Sequence, residues 1–137
     1  DNVIGNWNIE DVYGKQLQLQ DVLKKKNIIY FWNEEYAQRF ITQHRRINYL
    51  RKEFPEINFI GLFTGNLEKK LWVDILNEYN YSHLQEYRLT LEDVHVNPYD
   101  ELIPKTVFMD ASGKIIKTDA RYHSSEFEDI LNEYVND

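Results

Sequence analysis

The sequence predicts an α/β fold, a three-layer sandwich with a mixed central sheet and an N-terminal β-hairpin extension. Three observations lead there. Two near-continuous apolar runs, 27–32 and 57–63, have the composition of strands buried on both faces. Each is followed by a segment with apolar residues at helical spacing, so the two strands run parallel through right-handed crossovers. Alternating apolar and polar residues at 7–19 and at 106–117 fold back around turn residues, which marks two hairpins.

The elements follow in order. Trp7 to Leu19 alternates on both sides of Tyr13-Gly14, a hairpin signal. Asp21 to Lys26 is short and reads as a helical turn. The first buried strand ends in Phe31-Trp32. Asn33 is placed to cap the next helix, with Glu34 and Glu35 in its first turn. That helix is expected to run to about Phe54, with Ala37, Phe40, Ile41, His44, Ile47 and Leu50 inward and Pro55 ending it. After the second strand, Asn66 is expected to cap a helix reaching about Tyr79, with Leu67, Leu71, Trp72, Ile75 and Leu76 inward. Tyr87-Arg88-Leu89 reads as a short strand. Residues 91–103 are irregular and contain the turn signal Asn97-Pro98. The second hairpin turns at Ala111-Ser112-Gly113. Ser125 and Glu128 form a capping-box pattern before a last helix that faces inward through Phe127, Ile130, Leu131 and Tyr134. With no linker, repeat or low-complexity tract, residues 1–137 read as a single domain.

Composition narrows the function. The formal net charge is −7, which argues against a nucleic-acid binder, because phosphate contacts need a basic footprint. The local run His44-Arg45-Arg46, with Arg51 and Lys52, spreads around a helix and reads as a solvated face. No apolar stretch approaches the roughly 20 residues that span a bilayer, so no membrane insertion is expected. No signal peptide is visible in Asp1-Asn2-Val3-Ile4. There is no cysteine, so disulfides, thiolate nucleophiles and cysteine zinc sites are excluded. The four histidines, His44, His83, His95 and His123, make no metal-ligand spacing. No metal and no cofactor is expected, and His44, on an apolar stripe, reads as a packed helix residue. Only 5 glycines are present, without a phosphate-loop pattern.

Four segments, in order, carry a resemblance that covers nearly the whole chain. They are Asn8-Ile9-Glu10-Asp11-x-x-Gly14-x-x-Leu17, Phe31-Trp32, Phe59-Ile60-Gly61-Leu62, and Pro104 followed by Asp110-x-x-Gly113-Lys114-Ile115. Together they resemble the thioredoxin-like proteins of the alkyl hydroperoxide reductase and thiol-specific antioxidant type, which include bacterial-envelope thiol–disulfide oxidoreductases. The resemblance implies a thioredoxin-like fold, a periplasmic or envelope location with the cytoplasm as the alternative, and a cis Ile103–Pro104 bond beside the redox helix. In the family's Phe-Trp-x-x-x-Cys-x-x-Cys frame the cysteine places hold Tyr36 and Arg39. His44 stands where many members have a helix-kinking proline.

Thiol–disulfide exchange and thiol peroxidase chemistry therefore do not carry over. The chain reads as a redox-inactive binding or structural module. The candidate groove is Trp32, Tyr36, Arg39, Ile103 and Pro104, with Tyr87 and Tyr99 as further aromatics, and it suits a protein or peptide partner. Packing alone also accounts for any one of these aromatics. The rival reading is an enzyme with non-thiol chemistry built on Tyr36, Arg39 and a nearby carboxylate. Asp100 or Glu101 is placed to pair with Arg39 in either case. Glu34 and Glu35 need no catalytic role, since capping explains them.

Overall fold

The computed structural model describes residues 7–34, 37–89 and 106–137. In chain order the elements are β1 (Asn8–Asp11), β2 (Gln16–Gln18), a 3-10 turn (Leu19–Val22), β3 (Asn27–Trp32), α1 (Ala37–Glu53), β4 (Asn58–Phe63), α2 (Lys69–Glu78), β5 (Glu86–Leu89), β6 (Thr106–Met109), β7 (Ile115–Asp119) and α3 (Glu126–Val135). The strands form one sheet in the order β2-β1-β5-β4-β3-β6-β7. The central strands β3, β4 and β5 are parallel, and every outer pairing is antiparallel.

The two apolar runs behave as their composition requires. Every residue of β3 and of β4 is buried. Their side chains alternate between two cores. Ile28, Tyr30 and Trp32 join Phe59 and Phe63 in one cluster, with the buried faces of α1, α2 and α3. Ile29 and Phe31 join Ile60 and Leu62 in the other, with Ile9, Leu19, Tyr87 and Leu89. Among the described residues, the helical element on that second face is the 3-10 turn. A buried aliphatic or aromatic side chain contributes about 1.5–3 kcal/mol, so these two clusters dominate the fold's stability.

Several local expectations change. The 3-10 turn begins at Leu19, earlier than expected, with Gln18 N–H donating to Asp21 Oδ2 at 2.9 Å. Asn66 does not cap α2, which starts at Lys69 after an extended Glu68. The stretch before it is drawn out by Arg88, whose Nη1 donates to the Leu67 carbonyl at 3.2 Å. Leu71 is 48% exposed, because Trp72 and Leu76, four residues apart, take the inner stripe of α2. Ser125 makes no side-chain cap. The Glu128 carboxylate that would complete the box accepts instead from Arg46 Nη2 at 3.2 Å. Glu34 lies in a turn ahead of the described start of α1, whose first turn has no acidic residue. On α1 itself Phe40, His44, Ile47 and Leu50 are buried as expected, Ile41 is half-buried, and Gln43 is buried too. Residues 90–105, including Asn97-Pro98, lie outside the described residues.

Asn27 ties the start of β3 to its surroundings. Its Oδ1 accepts from Lys24 N–H and from Asn58 Nδ2, both at 2.8 Å. Its Nδ2 donates to the Lys24 and Met109 carbonyls at 2.8 and 3.1 Å. Tyr134 Oη accepts from Asn27 N–H at 3.0 Å, which docks α3 on the same residue. Asn27 is fully buried, so Asn27→Ala strands several polar groups. Urea unfolding is expected to show a loss of about 3 kcal/mol. A loss below about 1 kcal/mol would mean that these bonds contribute little.

Candidate functional site

The site begins with a glycine. Gly61 on β4 pairs in register with Tyr30 on β3 and with Glu86 on β5. Tyr30 and Glu86 are thus separated by a whole strand, a distance of about 9–10 Å between backbones. They meet because Gly61 has no side chain between them. A Cβ there would overlap both carboxylate oxygens of Glu86 and lie 2.6 Å from its Cδ.

Tyr30 Oη donates to Glu86 Oε2 in a short hydrogen bond. Trp32 Nε1 donates to Oε1 at 3.0 Å. The third neighbour is His44, brought over the sheet by α1. Its Nδ1 lies 3.0 Å from the Phe40 carbonyl, which only accepts, so Nδ1 carries a proton. Its Nε2 is 3.2 Å from Glu86 Oε2 but out of line for a hydrogen bond. Only a ring protonated at both nitrogens is attracted to the carboxylate there. Both side chains are completely buried. Burial and the facing Glu86 carboxylate hold the Tyr30 phenol well above its usual pKa, with the Arg51 charge opposing slightly.

Trp32, the one described member of the candidate groove on β3, is therefore fixed. It is 3% exposed, and its ring packs on Phe40 and Phe63 at centroid distances of 4.6 and 4.8 Å. A cavity of about 120 Å³ beside it is lined by Asn33, Glu34, Phe40, Ile75, Glu78 and Tyr79 as well. Glu34 Oε2 lies 3.5 Å from Asn66 N–H, at the limit of a hydrogen bond, and Oε1 is buried without a described partner. Arg39 is exposed on α1, near enough to Tyr122 to oppose the upward push that burial gives that phenol. Tyr36, Tyr99, Asp100, Glu101, Ile103 and Pro104 lie outside the described residues, so neither their grouping with Trp32 nor the isomer of Ile103–Pro104 is described. Tyr87 does not join Trp32. It belongs to the core on the other face of the sheet, because Glu86 takes the Trp32 face and the next residue must point away.

The Glu86 cluster was partly visible in the sequence. His44 stands out on its apolar stripe, and Gly61 interrupts a run of large apolar residues. Glu86 carries no such signal, because the strand pattern in the sequence begins at Tyr87 while the strand itself begins at Glu86. The described residues contain no group of three or more His, Asp or Glu side chains able to hold a metal. No described helix is long and apolar enough to cross a membrane.

No protein-family model matches the chain, and no curated protein sequence does. Solved structures do. A thiol:disulfide interchange protein from Bacteroides sp. superposes with a TM-score of 0.73 at 20% identity, covering 99% of this chain and 90% of its own. A putative thiol-disulfide oxidoreductase from Bacteroides vulgatus gives 0.75 at 19% identity, covering 95% and 86%. A putative electron transfer protein from Aquifex aeolicus gives 0.73 at 14% identity, covering 97% and 90%. The fold is thus thioredoxin-like, in a chain without cysteine.

Two variants test the cluster. Gly61→Ala is expected to displace the Glu86 carboxylate and to destabilise by about 2–4 kcal/mol in urea unfolding, far beyond the usual Gly-to-Ala effect. Tyr30→Phe tests the raised phenol. Below pH 10 or so neither folded nor unfolded chain ionises Tyr30, and its proton adds no pH slope. Above that, the unfolded chain releases the proton while the folded chain keeps it. Wild-type stability is therefore expected to fall more steeply than that of Tyr30→Phe, by about 1.4 kcal/mol per pH unit, until the folded value is passed. Parallel slopes above pH 10 would contradict the burial of this phenol.

Proposed function

We propose that this chain is a redox-inactive, thioredoxin-like binding module. It takes a protein or peptide partner on the surface around Trp32, Tyr36, Arg39, Ile103 and Pro104. The observation that carries this reading is the coexistence of a thioredoxin-like fold with the complete absence of cysteine. Structures named as thiol-disulfide proteins share the architecture, yet the chain has no thiolate to attack a disulfide. In this reading the surface lies where β3 ends and α1 follows. Trp32 is a preorganised aromatic at that end, locked by Glu86, Phe40 and Phe63. Arg39 is exposed on α1, and a guanidinium is a directional hydrogen-bonding group. Aromatic and arginine side chains are the residue types that dominate protein recognition. The same reading places the chain in the periplasm or cell envelope.

Two measurements test it together. Reduction of insulin by dithiothreitol is expected to proceed no faster with the protein than without it. Peptides selected from a displayed random library are expected to bind the wild type, and to lose about tenfold or more in affinity against the Tyr36→Ala/Arg39→Ala double variant. A double variant that folds normally and binds the selected peptides as well as wild type refutes the site.

A further inference from the structure

A second cavity lies at the opposite end of the sheet, where β4 and β5 begin and α1 ends. Its volume is about 370 Å³, within the range of small-molecule sites. Its apolar surface comes from Ile47, Ile57, Phe59 and Leu84, and Tyr30 also lines it.

The polar side chains around it sort into two groups. The amides are already used. Asn58 Nδ2 donates to the Val22 carbonyl and to Asn27 Oδ1 at 2.9 and 2.8 Å. Gln85 Nε2 donates to Asn58 Oδ1 and to the Phe59 carbonyl at 2.8 and 3.2 Å, and Gln85 Oε1 accepts from Tyr87 at 3.0 Å. The cations are not used. Lys24 Nζ and the two terminal nitrogens of Arg51 have no partner among the described residues, although both side chains line the cavity. Arg51 Nε and His83 Nε2 both address Asn48 Oδ1, at 3.4 and 3.1 Å, so one asparagine aims two basic groups. Glu56 also lines the cavity. One carboxylate against one ammonium and one guanidinium leaves a positive balance, before any charge on His83, in a chain whose total is −7.

We propose that this cavity binds a small organic acid. Its carboxylate is held by Arg51 and Lys24, and its apolar body lies on Ile57, Phe59 and Leu84. The argument is one of remaining capacity. Apart from the imidazole of His83, the side-chain donors that the cavity still offers among the described residues are cationic, and Ile57, Phe59 and Leu84 add apolar edges to a lining that is otherwise polar. A carboxylate satisfies the fork of a guanidinium, and an apolar body takes up the exposed edges of the core. Neutral polar ligands find the amides occupied. Inorganic anions leave the apolar surface wet. The site is independent of the partner surface proposed above.

The test is a titration of the isotopically labelled protein with 3-phenylpropionate, followed by amide chemical shifts. Saturable shifts are expected at Arg51, Ile57, Phe59 and Leu84, with a Kd on the order of 1 mM for a fragment of this size. The neutral analogue 3-phenylpropan-1-ol is expected to bind about tenfold weaker or worse. Arg51→Gln is expected to raise the Kd for the acid about tenfold, and Lys24→Gln to raise it less. Should Arg51→Gln lose the dispersed spectrum of a folded protein, Lys24→Gln decides. The proposal is overturned by the absence of saturable shifts, by equal binding of acid and alcohol, or by variants that bind as wild type. It is equally overturned if inorganic phosphate shifts the same amides at the same concentrations.

Discussion

The structure depends on one buried carboxylate. Glu86 is a charged residue type placed where no water reaches it, and such a group is tolerated only when donors surround it. Tyr30 and Trp32 supply those donors from alternate positions of β3, and His44 closes the site from α1. The geometry leaves little latitude. Tyr30 reaches Glu86 only across Gly61, and β5 must be in register for the carboxylate to stand there. A shift of β5 by one residue would turn Glu86 to the other face of the sheet and bring Tyr87 or Gln85 into its place. The cluster therefore fixes strand register and the seat of α1 at once.

The same cluster decides what kind of residue Trp32 is. Its indole N–H is used by Glu86, and its ring lies against Phe40, Phe63 and His44. An aromatic held this way loses little freedom on binding a partner, so any contact it makes is not offset by ordering. Its exposure is small, however, so in the proposed binding reading it could form only the floor of the surface. In that reading the contact area would have to come from other residues, of which Arg39 is described and exposed. Tyr87 is removed from that surface by strand alternation alone.

Fold was legible because the signals for it are long. Two near-continuous apolar runs, 27–32 and 57–63, each followed by a helical stripe, determine a parallel pair whatever the details at their ends. Caps were not legible, because a cap is decided by one side chain with competing partners. Glu128 matches a capping-box pattern in the sequence, yet Arg46 attracts it across to α1. Leu71 and Trp72 both read as inward, and only the rotation of α2 against Phe63 and Arg88 separates them. Of the candidate site, the sequence shows its special residues singly. His44 and Gly61 are conspicuous, but their meeting with Tyr30 and Glu86 spans 56 residues of chain and comes from topology.

The basic run on α1 shows how the same residue types divide once the fold is in place. As a sequence, His44-Arg45-Arg46 with Arg51 and Lys52 reads as one solvated face. In the structure His44 is core. Arg46 docks α3, donating to the Tyr122 and Ser124 carbonyls at 2.9 and 3.1 Å and to Glu128. Arg88 and Arg121, elsewhere, are likewise engaged, with Glu10 and with Asp119. Arg51 differs. Its terminal nitrogens have no partner among the described residues, and its side chain lines a cavity that Lys24 joins from the loop before β3. A cation that docks a helix is explained by the carbonyls it caps, since removing it strands them. Among the described residues Lys24 Nζ and the terminal nitrogens of Arg51 cap no carbonyl, so packing there gives them no such explanation. Arg46 is therefore explained by packing, and Arg51, only five residues further along the same helix, is the cation on which the proposed organic-acid site depends.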